Sequence, residues 1–318
     1  MSFWKSAAVA SALLCGVSGF GQTPPASPAP AAAPTYQQAH DALTRRDYPA
    51  ALALFTALAN TGNARAQSSL GAMYAIGIGV PQNSTEAVAW FRKSADQGFP
   101  EGISNLATSY VNGTGVPKDE AEAIKLYRKA ADQDYTPAAF LLANTLRDRT
   151  DPATQAASQK EALTWYRKAA DKGHAAAQDA LGNMYFNGTG TTKDDVQAVA
   201  WYRKAAAQSL ASAECNLAAM YQHGAGVTAD PAAALSWYLK AADHNFPPAM
   251  ARLGTMYIQG DGVTKDPVES YKWLLLAAVQ NDNDARRDIV DVSKILTPQE
   301  ITNAKQAATI WVNAHKGQ

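Results

Sequence analysis

The residues that could do chemistry are few and widely spaced. The segment NGTGTTK (187–193) is a glycine-rich turn ahead of a helical pattern, and such turns can offer free amides to a phosphate. It lacks the Gly-Lys-Ser/Thr ending and follows a helix rather than a strand, so it reads as a turn. His40, His174, His223, His244 and His315 show no His-x-x-x-His spacing and no neighbouring cysteine. Structural zinc needs four converging ligands, so no metal is assigned. Ser2 and Lys5 match Ser-x-x-Lys, but no Ser-Asp-Asn or Lys-Thr-Gly accompanies them. Three Asn-x-Ser/Thr triplets begin at Asn83, Asn112 and Asn187, and two of these are simply turn sequences. No catalytic residue and no cofactor emerges.

Composition narrows the partners. Lys+Arg and Asp+Glu both count 28, so no net positive field exists to gather nucleic acid or anionic lipid. Residues 1–21 read as a signal peptide, with Lys5 as the positive start and a short apolar stretch from Ser6 to Phe20. That stretch is too short to span a bilayer. Gly19 and Gly21 fit a cleavage site that would leave Gln22 first, and the mature chain is then expected in the periplasm or secreted. Leu14 before Cys15 does not suit a lipoprotein site, so Cys215 would be the one cysteine left. Residues 22–34 form an Ala/Pro-rich linker, and such tracts favour extended conformations.

The elements that must position everything else are repeats. LGAMYAIGIGV (70–80) recurs as LATSYVNGTGV (106–116), LGNMYFNGTGT (181–191), LAAMYQHGAGV (217–227) and LGTMYIQGDGV (253–263). Gly77, Gly113, Gly188, Gly224 and Gly260 are separated by 36, 75, 36 and 36 residues, so a longer copy hides in the wide gap. A second block occurs six times, from AWFRKSAD (89–96) to KWLLLAAV (272–279), and one of the six, TWYRKAAD (164–171), lies inside that gap. Six repeats therefore fill 64–282. The third replaces its Gly-x-Gly turn with RDRTDPATQ and is where a bend or a partner contact is first expected.

Each copy reads as two antiparallel helices. Ala66, Leu70 and Tyr74 typify the helical spacing of the first, and glycine suits its end. The second is expected to start at Asn83, Asp119, Ser158, Asp194, Asp230 and Asp266. Glu86, Glu122, Glu161, Gln197 and Glu269 stand three positions on, which predicts a capping box in five copies. Pro231 and Pro267 fit the first helical position. The recurrent Trp/Tyr pairs are expected in the core, because every repeat must bury its faces against its neighbours. Residues 35–63 and 283–318 read as capping helices that turn a polar face outward and seal the array.

These residues resemble Sel1-like repeats, a branch of the tetratricopeptide-like α/α solenoids. The pattern LGxMYxxGxGVxxD…AxxWYRKAAxxG carries the resemblance over residues 64–282. It implies an all-α, right-handed α/α superhelical solenoid whose first helices line a concave groove, and a scaffold or adaptor that binds a protein or peptide. Cysteine-rich relatives described as weak β-lactam hydrolases supply the alternative, but they staple each repeat with a cysteine pair, which Cys215 alone cannot reproduce. By the same resemblance the groove is expected to present Ser104, Asn105, Thr108, Asn144, Asn183, Asn216 and Thr255. Amides and hydroxyls of this kind both donate and accept, as an extended peptide backbone requires.

Overall fold

The computed structural model describes residues 33–315; the signal expected at 1–21 and the linker through residue 32 lie outside the described residues. Sixteen helices and no strand occur among the described residues. A leading pair, α1 (Tyr36–Thr44) and α2 (Tyr48–Asn60), precedes six repeat pairs. These are α3 (Ala64–Ile76) with α4 (Ser84–Asp96), α5 (Pro100–Asn112) with α6 (Glu120–Ala131), and α7 (Thr136–Arg147) with α8 (Pro152–Asp171). Then follow α9 (Ala175–Asn187) with α10 (Asp195–Ala206), α11 (Ala211–His223) with α12 (Pro231–Asp243), and α13 (Pro247–Gln259) with α14 (Pro267–Ala278). A closing pair, α15 (Asn283–Ser293) and α16 (Pro298–Ala314), ends the described chain.

From α1 to α15 each helix packs most closely on its sequence neighbours, the organisation of a solenoid, whereas α16 packs on α14 rather than on α15. The first helices of adjacent repeats also meet, as α3 with α5, α5 with α7 and α13 with α15. Second helices meet substantially only at α14 and α16. At these three joints neighbouring pairs approach on the first-helix side, the face that the resemblance makes the inner one. Tyr127, Tyr166, Tyr202 and Tyr238 of the second helices are buried against them, beside Leu70, Leu142, Leu181, Leu217 and Leu253. Trp90, Trp201 and Trp273 are buried, while Trp165 and Trp237 are half-buried.

The two glycines of each turn have different tasks. Gly77, Gly113, Gly188, Gly224 and Gly260 sit in the left-handed region and end the first helix. The second glycine also has positive φ, and it lies against the previous repeat. A Cβ on Gly226 would fall 2.3 Å from Asp195 O, and one on Gly262 2.4 Å from Pro231 O. This glycine is what lets one repeat's turn seat on the start of its predecessor's second helix.

Two expectations about the caps need correction. Asn83, Asp119, Asp194, Asp230 and Asp266 each accept from an amide of the first turn. The reciprocal half of a capping box is absent there and occurs at α1 (Thr35, Gln38) and α16 (Thr297, Glu300). The reason is competition for the cap's own N–H. It donates to the first helix instead: Asn83 to Tyr74 O, Asp119 to Tyr110 O, Asp194 to Tyr185 O, Asp230 to Tyr221 O and Asp266 to Tyr257 O, at 2.8–3.0 Å. Ser158 is not a cap but a buried residue inside α8, which starts at Pro152 after the cap Asp151. The segment that replaces the glycine turn thus becomes mostly helix, and α8 reaches 20 residues where its counterparts have 12 or 13.

The closing end is less polar than expected. Of eight large hydrophobic residues exposed among the described residues, five lie in the last part of the chain: Val279, Val290, Ile295, Ile310 and Val312.

Candidate inner-face binding surface

The inner face is built on the first helices, and the hydrogen bonds of its polar residues decide what it can offer a ligand. Tyr127 Oη pairs with Thr108 Oγ1 at 2.8 Å, Tyr166 Oη donates to Asn144 Oδ1, and Tyr202 Oη donates to Asn183 Oδ1 at 2.9 Å. In the fifth repeat Tyr238 Oη reaches Gln222 Oε1, one helical turn further on, at 3.2 Å. Thr108, Asn144 and Asn183 therefore tie the two helices of their own repeats together.

Other predicted residues bridge repeats. Asn105 Nδ2 donates to Ser68 Oγ at 3.2 Å, and Asn216 Nδ2 donates to Asp179 Oδ1 at 2.9 Å. Ser212 Oγ donates to the second oxygen of Asp179 at 2.9 Å. Burial holds the Asp179 carboxyl above the usual carboxylate range, with the bonds from Asn216 and Ser212 acting in the opposite direction. Ser104 corrects the expected row: it is 3% exposed and cannot present its hydroxyl to a ligand. Its position on α5 falls on the packed side of the helix, between the buried Ile103 and the half-buried Asn105.

Thr255 is where the inner face deepens. It lines two adjoining depressions between α13 and α15, of about 330 and 340 Å³. The first has a floor of Ile258, Leu274 and Val292 with Asp288 and Asp291 at its rim. The second is polar, with Arg252, Asp282, Asp284, Arg287 and Asp288. Sequence reasoning passed over these residues because α15 lies outside the repeats. One signal was legible: Asp284, Asp288 and Asp291 recur at helical spacing and so share a face of α15.

The remaining candidates for chemistry are engaged in structure. Cys215 is unpaired, and burial pushes its thiol up to about 12, so at neutral pH it is a protonated, poor nucleophile. His174 caps α9, its Nδ1 accepting from Ala177 N at 3.2 Å, and stacks on Phe140 at 4.6 Å. Lys93, Lys204 and Lys240 lie over the rings of Trp90, Trp201 and Trp237 at 3.6–3.8 Å. Among the described residues no cluster of three or more His, Cys, Asp and Glu could hold a metal ion. None of the described helices is long and apolar enough to cross a membrane.

The family model of the Sel1 repeat matches residues 64–99, 100–135, 137–174, 175–210, 211–246 and 247–282. The chain belongs to the Sel1-repeat family. A Sel1 repeat protein from Oxalobacter formigenes is 32% identical, with a TM-score of 0.65 over 76% of this chain and 95% of that one. A protective antigen present in uropathogenic Escherichia coli strains is 28% identical, with a TM-score of 0.51 over 88% of this chain and 68% of that one. No curated protein matches. Sel1-repeat proteins generally mediate protein–protein interaction, and they are typically scaffolds without catalysis. The repeats thus make a protein the expected class of partner.

Proposed function

We propose that this Sel1-repeat chain is an exported scaffold that holds a protein or peptide segment along its inner face, deepest between α13 and α15. The observation that carries the reading is the inner face itself: a run of first helices bearing amides and hydroxyls, ending in two adjoining depressions that share Thr255 and Asp288. Tyr166 and Tyr202 occupy the amide oxygens of Asn144 and Asn183, so those side chains keep their N–H groups for a ligand. N–H groups suit the carbonyls of an extended peptide. The apolar floor at Ile258 and Leu274 would take a hydrophobic anchor, the kind of buried contact that dominates interface energy.

Photo-crosslinking in the native host tests this. A crosslinker at Asn183 or Thr255 is expected to trap a discrete protein partner, while one at the exposed Lys125 or Ser236 of the second helices does not. Equal trapping from both faces would remove the inner face from the proposal. Export is supported by the N-terminal segment alone, and fractionation of the tagged chain with N-terminal sequencing tests it: a product starting at Gln22 outside the cytoplasm is expected, and a full-length cytoplasmic chain would refute it.

A further inference from the structure

At several joints of the array the fourth residue of a first helix clasps the end of the preceding second helix. Gln67 Nε2 donates to Ala59 O at 3.1 Å, Gln178 Nε2 to Ala170 O at 3.0 Å, and Arg286 Nε to Ala278 O at 3.2 Å. Each acceptor lies eight residues back. Each of those carbonyls also accepts a backbone N–H, from Gly62, Gly173 and Asn281 at 3.0–3.1 Å. The clasp residue therefore fills the carbonyl's second acceptor position.

In the fifth repeat the residue at this position is Glu214. The carbonyl eight residues back, Ala206 O, accepts the backbone N–H of Ser209 at 2.9 Å, as its counterparts do. A carboxylate has no proton to give it, whereas a carboxylic acid donates as the glutamine amide does. Glu214 is 3% exposed, and its Oε2 has no hydrogen-bond partner.

The next residue in the chain of bonds changes too. Gln97 and Gln208 donate to the Oε1 atoms of Gln67 and Gln178 at 2.7 and 2.8 Å. The aligned residue of the fifth repeat is His244, whose Nε2 stands 3.8 Å from Glu214 Oε2. A pair of neutral amides has become a carboxyl group beside an imidazole.

We infer that Glu214 carries a proton in the folded protein at neutral pH and donates it to Ala206 O, so that the joint between the fourth and fifth repeats is clasped by a proton and loosens when that proton is lost. The titratable groups facing Glu214 are Lys240 and Asp243 of α12 and His244 of the turn after it. The last two residues of α10, Ala205 and Ala206, and the start of α13, Pro247 to Ala249, bring none. Arg203 is bonded to Tyr221 Oη, and Lys204 covers the Trp201 ring. Burial raises Glu214 above its ordinary range, more strongly than His244 and Lys240 lower it. A group so raised stabilises the fold fully below its unfolded value and loses that contribution as pH rises through its folded value.

The test compares the native chain with Glu214→Gln, which restores the clasp of the first and fourth repeats. Melting temperatures across about pH 4 to pH 9 are expected to coincide at the acid end. At the alkaline end the native chain should fall below the variant by about 2–4 °C, the size of shift that loss of one buried bond gives a chain of this length. Infrared difference spectra at neutral pH should show a carboxylic-acid band in the native chain that the variant lacks. Glu214→Met, the residue type of Met250 at the same position of the sixth repeat, gives the same two readouts if the glutamine variant does not fold. A melting gap independent of pH, or no lost acid band, would overturn the inference.

Discussion

Replacing Gly226 with alanine should open the seam between the fourth and fifth repeats, and Gly173 provides the matched comparison. Both residues have positive φ, +68° and +84°. A Cβ on Gly173 would meet nothing within 4 Å, while one on Gly226 would sit 2.3 Å from Asp195 O and 2.8 Å from Val196 N. Left-handed backbone alone costs an L-residue about 1–2 kcal/mol. That is the whole expected loss for Gly173→Ala. At Gly226 the contact is with backbone that cannot rotate away, so the turn must lift off its neighbour, and overpacking of this kind adds about 1–3 kcal/mol. Gly226→Ala should therefore lose about 2–5 kcal/mol. The chain itself supports the distinction. At the position of Gly173 other repeats carry Asp134, Ser209, Asn245 and Asn281, all with positive φ, whereas the second turn glycine is kept as Gly79, Gly115, Gly190, Gly226 and Gly262. Urea unfolding followed by circular dichroism gives the two losses. Hydrogen exchange should show protection in Gly226→Ala falling first around α10 and α11. Equal losses for the two variants would refute the seating of the second glycine on the preceding repeat.

Trp201 is 7% exposed, and Trp201→Ala should cost about 3–5 kcal/mol in urea unfolding; an unchanged curve would contradict its place in the core. Asn183→Ala should cost about 1–3 kcal/mol by leaving the Tyr202 hydroxyl without its acceptor, and adding Tyr202→Phe should recover part of that loss. A double variant no more stable than Asn183→Ala would sink the pairing. Burial lowers His174 below its ordinary 6.5, so its contribution to stability is present above that value and declines as pH falls through the folded value. His174→Asn, which copies the cap Asn63 on α3, should gain on the native chain in melting temperature from pH 8 to pH 5; a constant difference would mean that His174 does not titrate against its cap bond.

The fold was legible where a signal is local. Caps, turn glycines and N1 prolines act within a few residues of themselves, and six copies allowed each to be checked against the others. The start of α8 was misread because alignment placed Ser158 opposite the caps of the other repeats. A local signature contradicted it: Asp151-Pro152 repeats the Asp-Pro step that opens α12 and α14. The capping boxes were misread for the opposite reason, since the cap's N–H is claimed by a tyrosine carbonyl nine residues earlier, in another helix. Nothing in Asp119-x-x-Glu122 shows that claim.

The inner face was legible as a set of polar residues but not as a hydrogen-bonding surface, because residue type leaves open whether the partner is a ligand or the protein. The partner was in fact written in the spacing. Thr108 precedes Tyr127 by 19 residues and Asn183 precedes Tyr202 by the same interval, while Asn144 precedes Tyr166 by 22 because the third repeat is three residues longer. A polar residue at constant distance from a buried tyrosine is a cross-helix tie. Under the proposed function such ties would give the inner-face amides a double role. They fix each side chain against its own repeat, which would reduce the entropy lost on binding, and they would leave only N–H groups to recognise the partner. Alanine at these positions therefore loosens the repeat and removes the contact together, so binding and stability would fall in parallel. Thr255 separates the two, since it bonds only within its own helix, to Ala251 O at 3.2 Å, yet lines both depressions. A bulky replacement there should block a partner while the array keeps its melting temperature.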